Sequence, residues 1–183
     1  MNRKAALVII GGGRLGLLNL FVAKAEGIQN MILIEANEER RDRGKALGFD
    51  AVFSGDEPDL LDQLKSCSNG HGVDGVIPCC PGPEAFDLAL EILRKQGTFG
   101  YFSGLSRNED FQLDINRIHY KEITVVGSYG CSVKHSQKAK TLLESRKIDV
   151  RPLISHRVKL EELERGMDYI RNSDGYSTIV VMK

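Results

Sequence analysis

The sequence carries no excess of charge of either sign and no long apolar run. Its 25 Lys and Arg residues balance 25 Asp and Glu residues, so the formal net charge is zero. A dedicated nucleic-acid or membrane surface needs a strong basic patch, and this balance argues against both kinds of partner. The longest apolar runs have the length of a strand, and no segment has the pattern of a signal peptide or a membrane span. We therefore expect a cytoplasmic protein without a nucleic-acid or membrane partner.

The sequence also lacks the spaced cysteine and histidine groups that hold a metal. Structural zinc sites show C-x-x-C pairs and zinc proteases show H-E-x-x-H, and neither pattern occurs. Two adjacent cysteines are poor candidates for a mutual disulfide. We therefore predict no metal site in this chain and reduced, mostly buried thiols. The residues concerned are Cys67, Cys79, Cys80, Cys131, His71, His119, His135 and His156.

A glycine-rich stretch, LVIIGGGRLG at residues 7–16, is the most informative local pattern. The apolar run before it predicts a central strand over residues 5–10, and the apolar spacing after it predicts a helix over residues 14–26. At such a turn Gly11 allows the tight reversal, Gly13 lets the backbone approach a pyrophosphate, and Gly16 lets helix and strand pack closely. The alternative is a glycine turn without a ligand, because G-x-G-x-x-G alone is a weak signal.

An acidic residue follows the second apolar run. Glu35 stands where a carboxylate accepts hydrogen bonds from the adenosine ribose hydroxyls, and it would repel a 2′-phosphate. The alternative for Glu35 is a solvated acid at the end of a strand. Arg40 and Arg41 follow it, and either could place a guanidinium over an adenine or belong to a solvated helix face.

Strand and helix patterns alternate along most of the chain, which predicts an α/β fold with a doubly wound, parallel, six-stranded Rossmann sheet. The predicted strands cover residues 5–10, 31–35, 50–53, 72–80, 97–104 and 122–129, and the helices cover 14–26, 37–48, 57–68, 83–95 and 134–146. A strand at 153–158, a helix at 160–171 and a strand at 178–182 form a C-terminal appendage. We therefore predict a nucleotide-binding domain over residues 1–150 and a tail over residues 151–183.

In an open parallel sheet, ligands bind beyond the carboxyl ends of the strands at the point where the strand order reverses. This rule nominates one rim. It comprises the segment 11–15 with Gly11, Gly13, Arg14 and Leu15, then Glu35, the segment 79–82 that begins with Cys79, and the segment 103–105 with Ser103 and Gly104. For the PCCPGP segment at 78–83, a proline-rigidified loop and a direct nicotinamide contact stay open.

Five segments in order resemble the cofactor-binding half of medium-chain, zinc-type alcohol and polyol dehydrogenases, with sorbitol and threonine dehydrogenase as the nearest branch. The segments are GGGRLG, IEANEERRDRGKALGFDAV, GVDGVIPCCPGPEAFDLALEILRKQGTFGYFSGL, IHYKEITVVGSYG and PLISHRVKLEELERGMDYI. The resemblance implies an NAD cofactor whose pyrophosphate meets Gly11, Gly13 and Gly16 and whose adenosine ribose meets Glu35. It implies further that Cys79, Ser103 and Ser128 line the nicotinamide and that Arg157 lies near the domain cleft.

Two departures from the family pattern qualify this expectation. Family members carry a preceding domain that holds the catalytic zinc, and the given chain has no counterpart of it. The resemblance therefore implies that this chain alone binds NAD without turnover and has no catalytic residue of its own. It also implies that zinc belongs only to the missing N-terminal domain and that the tail packs on that domain. Pro78 and Pro81 replace an acid and a small residue of the family, which affects the expected nicotinamide contacts.

Two other functions fit the pattern. A stand-alone NAD(H)-sensing regulatory module also shows G-x-G-R-x-G followed by a distal acid, although such modules typically end near the sixth strand. A protein-interaction domain that has lost its ligand is the third reading. For the assembly, we expect a homodimer through the strand at 122–129, whose apolar edge lacks proline. The alternative is an edge covered by the following helix or by the tail at 151–183.

Overall fold

The computed structural model describes residues 5–68, 70–105, 112–172 and 174–182. These residues form two compact units, Met1–Ser132 and Val133–Lys183. The division of the chain at residue 150 into a nucleotide-binding domain and a tail stays a prediction. Among the described residues, no helix has the length and apolar character needed to cross a membrane.

The first unit is built around one parallel sheet. Its strands are β1 (Ala6–Ile10), β2 (Asn30–Ile34), β3 (Ala51–Phe53), β4 (Val73–Pro78), β5 (Leu93–Tyr101) and β6 (Thr124–Gly127), and its helices are α1 (Arg14–Ala25), α2 (Glu38–Leu47), α3 (Leu60–Cys67), α4 (Pro83–Ile92) and α5 (Ile115–Lys121). The strand order is β3-β2-β1-β4-β5-β6, and all five pairings are parallel. The predicted doubly wound α/β fold is therefore confirmed, and the order reverses between β1 and β4.

Local sequence explains why these elements begin and end where they do. All five residues of β1 are buried, as expected of a central strand with both faces covered. The side chain of Asn37 caps the start of α2 by accepting a hydrogen bond from the Arg40 N–H, and Gly48 ends the helix with φ at 106°. Helix α4 begins at Pro83, the first helical position that proline favours.

The sequence prediction differs from the structure mainly after β4. Helix α4 ends at Ile92, and β5 begins at once with Leu93 rather than at residue 97. The predicted sixth strand at 122–129 is shorter in the structure, where β6 covers Thr124–Gly127 and Glu122 adopts φ of 54° after helix α5. Helix α5 was not predicted, because its seven residues show too short a stretch of periodicity to be recognised.

The second unit contains α6 (Val133–Glu144), β7 (His156–Lys159), α7 (Leu163–Arg171) and β8 (Thr178–Val181), with short 3-10 turns at Arg151–Leu153 and Leu160–Glu162. Strands β7 and β8 pair in parallel across α7. The predicted strand-helix-strand appendage is thus present, but its first strand begins at His156 rather than at 153, where the turn around Pro152 occupies the chain.

Candidate functional site

A cleft of about 480 Å³ opens at the carboxyl ends of β1 and β4, where the strand order reverses. The glycine turn, the end of β2 and the loop between β4 and α4 form its walls. The residues that bear on its chemistry are Gly11, Gly13, Glu35, Arg40, Cys79 and Glu84. Five of these six belong to the predicted rim or its flanking arginine, so the sequence predicted the place of the cleft.

The three motif glycines have different surroundings. Gly11 adopts φ of 103°, which suits glycine, and its N–H donates to the Ile34 carbonyl at 2.8 Å. A Cβ built on Gly16 would lie 2.0 Å from the Gly11 carbonyl oxygen, so that position admits only glycine. Around a Cβ built on Gly13, by contrast, no atom of the described residues comes within 4 Å. The turn is therefore tight at its base and open where it borders the cleft.

Helix α1 begins at Arg14, directly after this open glycine. Gly13 is its N-cap residue and has no side chain to occupy the amides of the first turn. Amides at a helix N-terminus point outward and carry the positive end of the helix dipole, which makes them suitable partners for a phosphate. Arg14 and Leu15 lie in this first turn, as predicted, although their assignment to a ligand stays a prediction.

Glu35 is buried and paired, with 8% of its surface exposed. One carboxylate oxygen accepts the Gly12 N–H at 2.5 Å and the other accepts the Asn37 N–H at 2.8 Å. The alternative of a solvated strand-end acid is therefore wrong. Each carboxylate oxygen can accept a second hydrogen bond, so Glu35 can hold the glycine turn and still accept a hydrogen bond from a hydroxyl in the cleft.

The two arginines that follow have separate roles. Arg40 lines the cleft and is partly exposed, which leaves it able to meet a ligand. Arg41 does not belong to a solvated face: its Nη1 donates to the Glu35 carbonyl at 3.0 Å, to the Ala36 carbonyl at 2.5 Å and to Ser54 Oγ at 3.4 Å.

The adjacent thiols at the end of β4 are unsuited to nucleophilic chemistry. The pKa of Cys79 is raised to about 12, chiefly by burial and also by the neighbouring Cys80, while a hydrogen bond from Asn19 Nδ2 opposes the shift. Burial, followed by the charge of Glu35, also raises the pKa of Cys80. The thiolate is the reactive form of cysteine, so both side chains act as small apolar groups at neutral pH. All four cysteines are free, but the prediction that they are mostly buried is wrong, since Cys67, Cys79 and Cys80 are partly exposed and Cys131 is exposed.

The remaining predicted residues lie outside this cleft. Ser103 and Gly104 follow β5, and Ser128 follows β6, where its N–H donates to the Tyr101 carbonyl at 3.0 Å. The register of Tyr101 with Gly127 brings the two strand ends side by side. Arg157 lines a different cleft, in the second unit. Contact of these four residues with a nicotinamide or a domain cleft stays a prediction.

Several residues of the site were missed by sequence reasoning or given another role. Gly12 belongs to the predicted rim, but its contact with the Glu35 carboxylate was not predicted. Gly55 and Leu88, which line the cleft, and Glu84, in the first turn of α4, were missed. The Pro-Glu pair at 83–84 is a recognisable helix start and could have indicated a first turn facing the rim. No local signal marks Gly55, Leu88 or the contact between Gly12 and Glu35, because these depend on chain segments far apart in sequence.

Metal-ligating side chains do not cluster in the described part of the chain. Within residues 5–68, 70–105, 112–172 and 174–182, no three His, Cys, Asp or Glu side chains come together as a metal site. The expectation that zinc belongs to another domain stays a prediction.

The chain is similar to known dehydrogenases in sequence and in fold. The family profile described as zinc-binding dehydrogenase matches residues 15–146. Sorbitol dehydrogenase of Halalkalibacterium halodurans is 26% identical over 98% of this chain and 52% of its own length, and L-threonine 3-dehydrogenase of Bacillus velezensis is 31% identical over 94% and 50%. The fold is shared with alcohol dehydrogenase TADH from Thermus sp. ATN1, with a TM-score of 0.87, 23% identity, and coverage of 98% of this chain and 52% of that one. The chain thus spans about half the length of the proteins it matches.

Proposed function

The chain belongs to the zinc-binding dehydrogenase family, and we propose that it is the NAD(H)-binding half of an alcohol or polyol dehydrogenase. The sequence resemblance to this family is thereby confirmed. The proposed reaction of the whole enzyme is hydride transfer between a secondary alcohol and the nicotinamide. The observation that carries the proposal is that the open Gly13 and the buried Glu35 line the same cleft.

The residues of the cleft fit a dinucleotide in shape and in charge. Gly13 and the first turn of α1 would receive the pyrophosphate, because nothing in the described chain fills the space beside that glycine. Glu35 would accept the adenosine ribose hydroxyls, and the protonated Cys79 would contribute an apolar wall. When bound, nicotinamide would supply the hydride acceptor, and a zinc ion held by another domain would polarise the alcohol. This chain binds and orients the cofactor.

The tail favours this function over the sensing module. The likeness to sorbitol dehydrogenase extends over 98% of the chain and so includes most of residues 151–183. A sensing module would end near the sixth strand. A cytoplasmic location is part of the proposal and rests on the apolar runs of the sequence, which have the length of strands.

We expect the protein to bind NAD at least about tenfold more tightly than NADP, because the Glu35 carboxylate accepts ribose hydroxyls and repels a dianionic 2′-phosphate. Calorimetric titration with both cofactors measures the preference. Glu35→Gln should reduce it, whereas Glu84→Gln removes another carboxylate of the same cleft and should change it less. Equal or tighter binding of NADP by the wild type would contradict the role assigned to Glu35.

We also propose a homodimer through the edge of β6. This strand is outermost in the sheet, and Val125 and Val126 are 46% and 49% exposed. The Ser128 N–H points to β5, where it meets Tyr101, so by the alternation of a strand the Val125 N–H points away from β5 to the free edge. A second β6 could satisfy that edge and extend the sheet across a two-fold axis.

The outward direction of the Val125 N–H gives a sharp test of the dimer. Val125→Pro removes an outward donor without removing a hydrogen bond to β5, so we expect the dimer to dissociate while each subunit stays folded. Val125→Thr keeps the N–H and a similar shape and should stay dimeric. Light scattering distinguishes the two, and a wild-type chain that is monomeric at high micromolar concentration would exclude the arrangement.

A further inference from the structure

Arg41 links two chain segments that approach the same cleft. It lies in the first half of α2, and its Nη1 reaches the carbonyl oxygens of Glu35 and Ala36 at the end of β2. The same nitrogen contacts Ser54 Oγ, just after β3, at 3.4 Å. A planar guanidinium suits this task, since its donors are held in fixed directions.

The segments joined by Arg41 both belong to the walls of the cleft. Glu35 and Ala36 line it from the end of β2, and Gly55, the neighbour of Ser54, lines it from the end of β3. The strands before these walls are joined by backbone pairing, in which the Glu35 N–H donates to the Phe53 carbonyl at 3.0 Å. Arg41 adds a side-chain link beyond the ends of the strands, where the chain turns away from the sheet. Glu35 also holds Gly12, so a shift of its backbone would be felt by the glycine turn.

The far end of this tie is itself anchored. The Ser54 N–H donates to Glu57 Oε1 at 2.7 Å, and Gln63 Nε2 donates to the other oxygen of Glu57 at 2.9 Å. The pKa of the Asp56 carboxyl lies below its usual range, chiefly because the Ser54 side chain donates a hydrogen bond to it. Ser54 can thus donate to Asp56 and accept from Arg41 at once, and it offers a fixed point rather than a loose hydroxyl.

We propose that Arg41 is a positioning residue for cofactor discrimination: by tying the end of β2 to Ser54 it fixes Glu35 at the distance that admits a ribose hydroxyl and rejects a 2′-phosphate. The inference rests on the proposed NAD binding and adds a residue that does not itself touch the cofactor. Arg40, which lines the cleft, is the arginine with direct access to a ligand.

Arg41→Met and Arg41→Lys separate positioning from charge. If Arg41 positions Glu35, both variants should bind NAD about tenfold more weakly, a change of about 1.4 kcal/mol. NADP should lose less, so the preference for NAD should fall. If Arg41 acts through its charge alone, the methionine variant should bind NADP more weakly and the preference should rise, while the lysine variant should match the wild type. Calorimetric titration of the full chain with both cofactors gives the ratio.

Two further variants complete the test. Ser54→Ala removes only the far acceptor and should lower the preference in the same direction by a smaller factor. Lys45→Met removes a cation from the same helix, one that pairs with Asp42 on an exposed surface, and should leave the ratio unchanged. Circular dichroism tests whether each variant is folded. Arg41→Lys keeps a charge and an apolar stem, and so serves as the second variant where methionine could destabilise this turn of α2.

The outcomes are distinguishable. A wild type that binds NAD with preference, together with folded Arg41 variants that keep that preference, overturns this inference and leaves the proposed function standing. A preference that rises in Arg41→Met overturns it in favour of a direct charge effect. A wild type that binds neither cofactor overturns the proposed function and this inference with it.

Discussion

Replacing Gly16 by alanine should lower the free energy of unfolding by about 3 kcal/mol or more, because the added methyl group has no room. Its Cβ would lie 2.0 Å from the Gly11 carbonyl oxygen and 3.1 Å from Ile9 Cγ2. The Gly11 backbone cannot move away freely, since its N–H is bonded to the Ile34 carbonyl across the sheet. For a chain of this size the change corresponds to a fall in unfolding temperature of about 6–12 °C.

The sign of the change in unfolding free energy distinguishes a steric clash from a helix-propensity effect. Gly16 lies within α1, and alanine in an ordinary helix position is more stable than glycine by roughly 1 kcal/mol. Thermal unfolding followed by circular dichroism therefore tells the clash from helix propensity. Gly13→Ala is the matched control, since the described chain leaves its Cβ in open space, and it should stay within about 1 kcal/mol of the wild type. A Gly16→Ala variant that unfolds at or above the wild-type temperature would show that helix and turn are not in close contact.

Gly16 also shows how much of the fold could be read from the sequence. The glycine spacing, the buried run before it and the amphipathic pattern after it are local signals, and together they predicted β1, α1 and the turn between them. The alternation of strands and helices then fixed a parallel sheet, because a parallel connection needs a crossover. The reversal of strand order beside β1 follows from that class of fold, and the cleft was expected where it lies.

The parts that were missed depend on contacts between distant residues. The hydrogen bond from Gly12 to Glu35 joins positions 23 apart in sequence, and the tie from Arg41 to Ser54 joins different strand ends. Nothing in the spacing of Arg41 distinguishes it from a solvated residue of α2. The high pKa of Cys79 likewise comes from burial that only the packed sheet creates. Sequence pattern therefore predicted a rim where a cleft lies, but not the network that holds Glu35.

Replacing Gly13 by leucine should abolish NAD binding with almost no loss of stability, the opposite outcome to that at Gly16. Gly13 adopts φ of −73°, which any residue can take, and among the described residues no atom lies within 4 Å of its Cβ position. The new side chain would extend into the cleft that Gly13 borders and occupy the place of the pyrophosphate at the start of α1. We expect affinity to fall at least about a hundredfold, or about 2.7 kcal/mol, in a calorimetric titration.

A series of side chains and ligands locates the loss at the phosphates. Gly13→Ala should weaken NAD binding less than Gly13→Leu, because the obstruction grows with side-chain volume, and both variants should unfold close to the wild-type temperature. Adenosine has no phosphate and is expected to meet Glu35 rather than the helix start, so the leucine variant should bind it nearly as the wild type does. Ligand-observed NMR measures that weak binding. If Gly13→Leu binds NAD as tightly as the wild type, the pyrophosphate does not lie at the glycine turn, whereas equal losses for NAD and adenosine would point to a distorted cleft.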